Sequence, residues 1–198
     1  MSTHELTQAA LIAAQHEDAD PDCVIEFSHL PSWNDLNAIS GHIHAKGSFT
    51  RKWRGMGEAK VIDFAQANDL KLERYVEWFG KEKDQSREHV RLVEPYFLRP
   101  VAIDCRVWRP DSRPYDVHNV CLKAVLDGFV DARLLIGDDT RFVKEVSFVY
   151  EGVDESLALT RTERATRKAV QDARRLKGQN PKRMPTRARF RIEFFKLS

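Results

Sequence analysis

The chain is poor in cysteine and has no long apolar run. Three of its 198 residues are cysteine, an odd number without CxxC spacing, and each lies in an apolar stretch, which predicts reduced core thiols in a cytoplasmic protein. No apolar stretch approaches the roughly 20 residues of a membrane span. The alanine-rich segment 9–14 lacks the basic residues and cleavage site of a signal peptide. These absences argue against a membrane or secreted protein.

Several familiar catalytic motifs are also missing. The sequence contains no P-loop, no GxGxxG, no convincing Ser-His-Asp order and no context for a nucleophilic cysteine. What it does contain is 42% hydrophobic and 31% charged residues, enough for a core in one domain. We therefore expect a single domain over 1–198, with a helical extension at 1–20.

Positive charge is concentrated late in the chain. Residues 161–191 hold twelve Lys and Arg against two acids, a net +10, so the rest of this +2 chain carries −8. A basic segment on an acidic body favours a polyanion partner such as nucleic acid, although a solvated helix face gives the same pattern. We interpret residues from about 154 to 187 as a basic insertion.

Hydrophobic periodicity predicts the elements. Strands are expected at 23–27, 101–107, 142–150 and near 190–194, and helices at 2–17, 48–68, 70–79, 116–130 and 163–177, with 41–47 as a loop or short hairpin element and 81–88 as a charged surface segment. This order predicts an α/β or α+β fold, a small mixed β-sheet covered by helices.

Four polar residues are spaced as one stripe of the helix predicted at 116–130: Asp116, Asn119, Lys123 and Asp127. Asp116 taken alone is also a good helix N-cap. The other three are compatible with an ordinary solvated stripe, and His118 with a surface or core histidine. The stripe alone therefore leaves a structural role open.

A second acidic pair, Asp138-Asp139, follows this helix just before a predicted strand. Adjacent acids there are commonly a turn. However, carboxylates at a helix start and a strand start can approach each other, and Mg²⁺ binds through a few carboxylates, water and substrate phosphate. Together the two clusters favour a metal site for phosphodiester chemistry, with a lysine to stabilise the transition state.

These residues resemble the signature of the RusA-like Holliday-junction resolvases. The run Asp116-Val-His-Asn119, then Lys123-Ala-Val-Leu-Asp127-Gly and Asp138-Asp139, is similar to the family pattern Asp-x-Asp-Asn-x-x-Lys-Ala-x-x-Asp-Ala followed by Asp-Asp. The segment 25–34, with Pro31-Ser32-Trp-Asn34, resembles the first strand and loop of the family. Segments 48–68, 101–107 and 190–197 match in order, whereas the basic insertion is additional.

The resemblance implies a RusA-like homodimer that nicks four-way or branched DNA in recombination and repair, with Mg²⁺ as its metal ion and Mn²⁺ as the alternative. Asp116 and Asp139 correspond to catalytic metal ligands and Lys123 to the catalytic lysine, with Asp138 or His118 completing the metal shell. We expect phosphate contacts from seven residues: Asn34, Arg113, Asn119, Arg141, Arg174, Arg175 and Lys177.

The sequence departs from the family pattern in two places. His118 replaces the second aspartate, and imidazole is a poorer ligand than carboxylate for Mg²⁺. Lys123 follows Asn119 one residue later than in the pattern. Two alternatives remain open: a DNA-junction-binding protein of the same fold whose catalysis has lapsed, and a partner-binding adaptor whose acids are surface turns.

Overall fold

A computed structural model describes residues 19–29, 43–79, 85–112, 121–179 and 187–197. The fold is mixed α+β, as predicted. Its elements are β1 (Cys23–His29), α1 (Ile43–Ala67), β2 (Leu72–Phe79), β3 (Gln85–Leu92), β4 (Val101–Arg109), α2 (Lys123–Asp131), β5 (Val143–Val153), a 3₁₀ turn (Glu155–Leu157), α3 (Arg161–Leu176) and β6 (Arg187–Lys196). No helix in the described part of the chain is long and apolar enough to cross a membrane.

The main sheet is mixed and has the strand order β1-β6-β4-β5. β6 runs antiparallel to both β1 and β4, whereas β4 and β5 are parallel. A parallel pair needs a long crossover connection, and here the crossover contains α2. β2 and β3 form a second, antiparallel sheet of two strands.

One face of the main sheet forms the core. Alternate residues of β6 point into it and are buried, including Phe190, Ile192 and Phe194. Phe129 of α2 lies against this face, with its ring 5.6 Å from the ring of Phe194 and 6.4 Å from that of Phe27 on β1. The apolar side of α2 is thereby fixed, and its polar side faces outward.

Two glycines allow α1 and α2 to touch through their backbones. A Cβ built on Gly128 of α2 would lie 2.2 Å from the carbonyl oxygen of Arg54, and one built on Gly57 of α1 would lie 2.7 Å from that of Val125. Real Cβ atoms do not approach a backbone oxygen so closely, so side chains larger than hydrogen are excluded. Arg54 also binds Asp131 through both its Nε and Nη2 atoms. The crossing therefore fixes α2 on α1.

The strands predicted in the main sheet and the helices predicted at 48–68 and 163–177 are confirmed. Two local predictions are wrong. Residues 43–47 belong to α1 rather than to a loop, and 72–79 form β2 rather than a helix. Residues 72–79 pair along their whole length with 85–92. Each strand thereby gives the backbone N–H and C=O groups of the other their hydrogen-bond partners, which neither segment has alone. That pairing also makes residues 85–88 of the predicted surface segment part of β3.

The predicted helix at 116–130 is also wrong at its start. The helix begins at Lys123, and the described residues Cys121 and Leu122 precede it. Of the four-residue stripe, the described helix therefore carries Lys123 and Asp127. Asp116 and Asn119 themselves, like the predicted helix at 2–17, lie outside the described residues.

Candidate functional site

Lys123, the first residue of α2, brings two acidic residues together. Its Nζ donates to Oδ2 of Asp138, in the turn before β5, and lies 2.9 Å from Oδ1 of Asp127, one helical turn further along α2. We call these three residues the lysine cluster. Hydrogen bonds to Asp138, and then to Asp127, raise the pKa of Lys123 above its usual value. The ammonium is therefore held in its charged form and directed toward Asp138.

Both carboxylate oxygens of Asp139 accept hydrogen bonds from Arg141. Its Oδ1 accepts from the backbone N–H of Arg141 at 2.8 Å and from Nε at 3.0 Å, while Oδ2 accepts from Nη2 at 2.8 Å. These bonds lower the pKa of the Asp139 carboxyl to about 2, the side-chain bond being the largest cause. Asp139 is thus a carboxylate at any physiological pH, and both of its oxygens have a cationic partner.

The backbone around Asp139 explains why these acids stand where they do. The carbonyl of Asp139 accepts from the N–H groups of Phe142 and Val143, which ends the turn and starts β5. Gly137 lies before the acids, and a Cβ there would be 2.8 Å from the ring of Phe142. The Phe142 ring therefore takes the space that a side chain at 137 would need, which places the turn against the start of β5.

The predicted site residues divide into two groups. The described residues Lys123 and Asp138 are in contact, and the neighbouring Asp139 binds Arg141. The other predicted residues of the site lie outside the described residues: Asn34, Arg113, Asp116, His118 and Asn119. Asp127, which sequence reasoning placed on the stripe without a firm role, is part of the lysine cluster.

The chemistry of the donors suits a hard cation, but the described residues do not complete a site. Carboxylate oxygens such as those of Asp138 and Asp139 are the ligands that Mg²⁺ prefers. No group of three or more possible ligands converges within the described part of the chain, and Lys123 and Arg141 already pair with these two acids. A complete shell therefore needs a further ligand, and Asp116 is the candidate that the sequence offers.

α3 carries the other predicted DNA contacts and is stabilised mainly by its ends. Thr160 and Glu163 form a reciprocal capping box at its start. At its end, the N–H of Gln179 bonds the carbonyl of Arg174 at 2.9 Å, and that of Gly178, with φ of 65°, bonds Arg175 at 2.9 Å. This is a Schellman ending. Arg174 is half-buried, whereas Arg175 and Lys177 are exposed.

A further ionic cluster was missed by sequence reasoning. His89 of β3, whose side chain is only 9% exposed, has Nδ1 3.5 Å from Glu58 of α1 and Nε2 3.3 Å from Glu77 of β2. Its ring stacks on Tyr75 at 5.1 Å. Burial, and then the charge of Asp131, raise the pKa of Glu58. No local pattern gives these contacts, because they depend on how the hairpin pairs and packs on α1.

Comparison with known proteins adds no relative to this picture. No protein-family model matches the chain, and no curated protein matches it. Its function is therefore argued from its own residues and from the motif resemblance.

Proposed function

We propose that the protein is a metal-dependent, structure-selective DNA endonuclease that resolves four-way junctions as a homodimer, in the manner of the RusA-like resolvases. The observation that carries the proposal is the contact between Lys123 and Asp138. These residues are 15 positions apart, belong to the two halves of the motif, and meet in the crossover between β4 and β5. The resemblance requires such a convergence.

In the proposed reaction, Lys123 stabilises the charge that develops on the scissile phosphate. Its raised pKa keeps the ammonium charged, and Asp127 and Asp138 hold it in one direction. Preorganised positive charge of this kind is a large contribution to phosphoryl-transfer catalysis. Removing one such group typically slows a reaction by about 10² to 10³.

Asp116 and Asp139 would hold Mg²⁺ or Mn²⁺, with Asp138 or His118 as the further ligand. When bound, the ion supplies an activated water and neutralises phosphate charge. To hold the ion, Asp139 would have to release Arg141, whose guanidinium could then bind a neighbouring phosphate. In this proposal the paired residues serve the same site, Asp139 as a metal ligand and Arg141 as a phosphate contact.

The edge of the main sheet supports a dimer. Within the described residues β5 is an edge strand, and it exposes four apolar side chains by 37–47%: Val146, Val149, Tyr150 and Val153. An exposed apolar edge strand is an aggregation hazard unless something covers it. A second copy of the chain would cover it, and two copies give the symmetric pair of sites that a symmetric junction requires.

The central test is cleavage of a synthetic four-way junction by the purified protein in Mg²⁺ or Mn²⁺. Asp139→Asn should abolish cleavage and retain binding, since only the charge of the metal ligand is lost. Asp63→Asn, which removes an exposed acid of α1 paired with Lys60, is the matched control and should cleave normally. Normal cleavage by Asp139→Asn would refute the assigned role.

A second candidate is a junction-binding protein of the same fold that does not cleave. The hydrogen bonds that occupy both oxygens of Asp139 favour it, as does His118 in place of the family aspartate. Binding without cleavage in Mg²⁺, Mn²⁺ or Zn²⁺ would support this alternative. Cleavage gained in His118→Asp would identify the single missing ligand.

A further inference from the structure

α3 presents positive charge to solvent along one side. None of its sixteen residues, all of them described, is buried. Helical geometry places four basic residues within one arc: Arg161, Arg164, Lys168 and Arg175. All four are exposed. Because both ends of the helix are capped, α3 keeps this shape with little packing against the body.

The base of α3 gathers more positive charge from other elements. Glu163, one of the two acids of α3, is bound at 2.5 Å by Nη2 of Arg187, the first residue of β6. Beside them, burial lowers the pKa of His29 on β1, and the charges of Lys52, Arg187 and Arg167 lower it further. Arg187 of β6 and Lys52 of α1 thus add positive charge near the base of α3, and we call α3 together with Lys52 and Arg187 the α3 patch.

The base of α3 and the acids before β5 lie at opposite ends of β5. Arg187 binds Glu163 of α3 and lies two residues before Arg189, whose β4 partner Trp108 pairs with Gly152 near the end of β5. Asp139 binds Val143 at the start of β5. At the other end, the N–H of Asp154, directly after β5, bonds the carbonyl of Arg109 at 2.7 Å. β5 has 11 residues, which at the rise of an extended strand span about 33 Å. That distance corresponds to about ten base pairs of a B-DNA duplex.

We propose that the α3 patch binds the phosphates of a duplex DNA arm about ten base pairs away from the phosphate that is bound beside Asp138 and Asp139. The distance of about ten base pairs rests on the proposed function, because that function places a phosphate beside Asp138 and Asp139. The substrate class is then branched DNA whose arms exceed one helical turn. Shorter arms end before they reach the α3 patch.

The side chains of α3 favour nucleic acid over a membrane surface. Helices that lie in a lipid interface carry Trp, Phe and Leu opposite their basic side. α3 has no aromatic residue and a single leucine, Leu176, and the rest of that side is mostly alanine and threonine. It therefore has little to insert into lipid, whereas its arginines suit phosphate oxygens.

The test uses labelled four-way junctions with arms of about five or about twenty base pairs, on either side of the proposed span. Binding to the full chain is measured by fluorescence anisotropy in EDTA, so that no cleavage is needed. The variant is Arg164→Gln/Lys168→Gln/Arg175→Gln. The matched control, Lys60→Gln/Lys71→Gln/Arg74→Gln, removes the same charge from α1 and the β2 region. Circular dichroism confirms that both variants are folded.

We expect the α3 variant to bind long-arm junctions at least about tenfold more weakly than the parent. Its slope of log affinity against log salt should be smaller by about 2.7, since each phosphate contact contributes about 0.9. Short-arm junctions should bind both proteins equally, and the control variant should match the parent on both substrates.

Three results would overturn the inference. If the α3 variant bound long-arm junctions as tightly as the parent, the α3 patch would not contact the DNA. If the α3 variant lost as much affinity for short-arm as for long-arm junctions, the proposed distance between the two contacts would be wrong. If the control variant lost as much affinity as the α3 variant, the loss would be a general effect of charge. Because binding is measured without metal, a protein that fails to cleave yet shows the arm-length effect would refute the nuclease function and support the DNA contact.

Discussion

Lys123 donates a hydrogen bond to Asp138, which fastens the first residue of α2 to the turn that starts β5. In the proposed reaction this lysine stabilises phosphate charge, so Lys123→Ala should slow junction cleavage about 10² to 10³-fold. Lys123→Arg should retain part of the rate because it keeps the charge.

Lys123→Ala should leave the free energy of unfolding almost unchanged. The side chain of Lys123 is 66% exposed, and exposed ion pairs contribute about 0–1 kcal/mol. Single-turnover cleavage and thermal unfolding of Lys123→Ala, measured side by side, separate the two effects. A large loss of stability with an unchanged cleavage rate would assign Lys123 a structural role instead.

Arg141 lowers the pKa of the Asp139 carboxyl. The folded-state pKa of Asp139 is lowered from 3.8 to about 2, so its stabilising contribution is complete above the unfolded value and is lost as pH falls through about 2. In Arg141→Gln the pKa should return toward 3.8, and the stability-against-pH curve should become flatter between these values.

A carboxyl-detected NMR titration of Asp139 in the parent and in Arg141→Gln measures this directly. Lys144→Gln is the control, since Lys144 is the last and smallest of the causes that lower the pKa of Asp139. A titration midpoint that does not move in Arg141→Gln would show that another group holds the carboxylate.

The contact between α1 and α2 should not tolerate a methyl group. Gly128→Ala places a Cβ 2.2 Å from the carbonyl oxygen of Arg54, and because that atom is backbone, α2 must move. We expect a loss of about 3 kcal/mol in the free energy of unfolding, the upper range for overpacking.

Gly55→Ala is the matched control on α1, the other helix of the crossing. Apart from its chain neighbours and the backbone of its own helix, no described atom lies within 4 Å of a Cβ built at Gly55, so helix propensity should decide the effect, with a gain of roughly 0.5–1 kcal/mol. Urea unfolding of both variants gives the comparison. Equal effects would show that the α1–α2 crossing has room for a methyl group.

The edge strand makes a prediction about assembly. Val149→Lys adds a charge to the exposed edge strand β5 and should convert a dimer into a monomer at micromolar concentrations in analytical ultracentrifugation. Val76→Lys changes a similarly exposed valine of the hairpin and should leave the mass unchanged. A dimer that survives in Val149→Lys would place the interface elsewhere.

The sequence was most informative where local rules and tertiary packing agree. Along β6, Phe190, Ile192 and Phe194 alternate with charged residues, and this pattern predicts a strand with one buried face. α3 was equally predictable, since a basic helical segment is followed by Gly178, which takes a left-handed conformation. In both segments the local signal needed no distant partner.

The errors lie where a distant partner decides. Residues 72–79 allow helical spacing, yet pairing with 85–92 makes them a strand. Asp116 resembles an N-cap, but α2 starts at Lys123. His89 has its neighbours on α1 and β2, which no spacing within β3 can indicate. The sequence predicted that the acids before β5 approach a carboxylate at the helix start, but it did not predict the contact between Lys123 and Asp138.

The position of β6 in the sheet determines when the sheet can be completed. β6 lies between β1 and β4, and the bonded pair Glu26–Arg191 joins residues 165 positions apart. At about 5–20 residues per second, a ribosome needs on the order of ten seconds or more to span that interval. During that time β1 lacks its neighbour, and β4 lacks it from the moment its own residues have been made, so both strands expose apolar residues. Nascent chains that stall before β6 are therefore the species that we expect chaperones to hold.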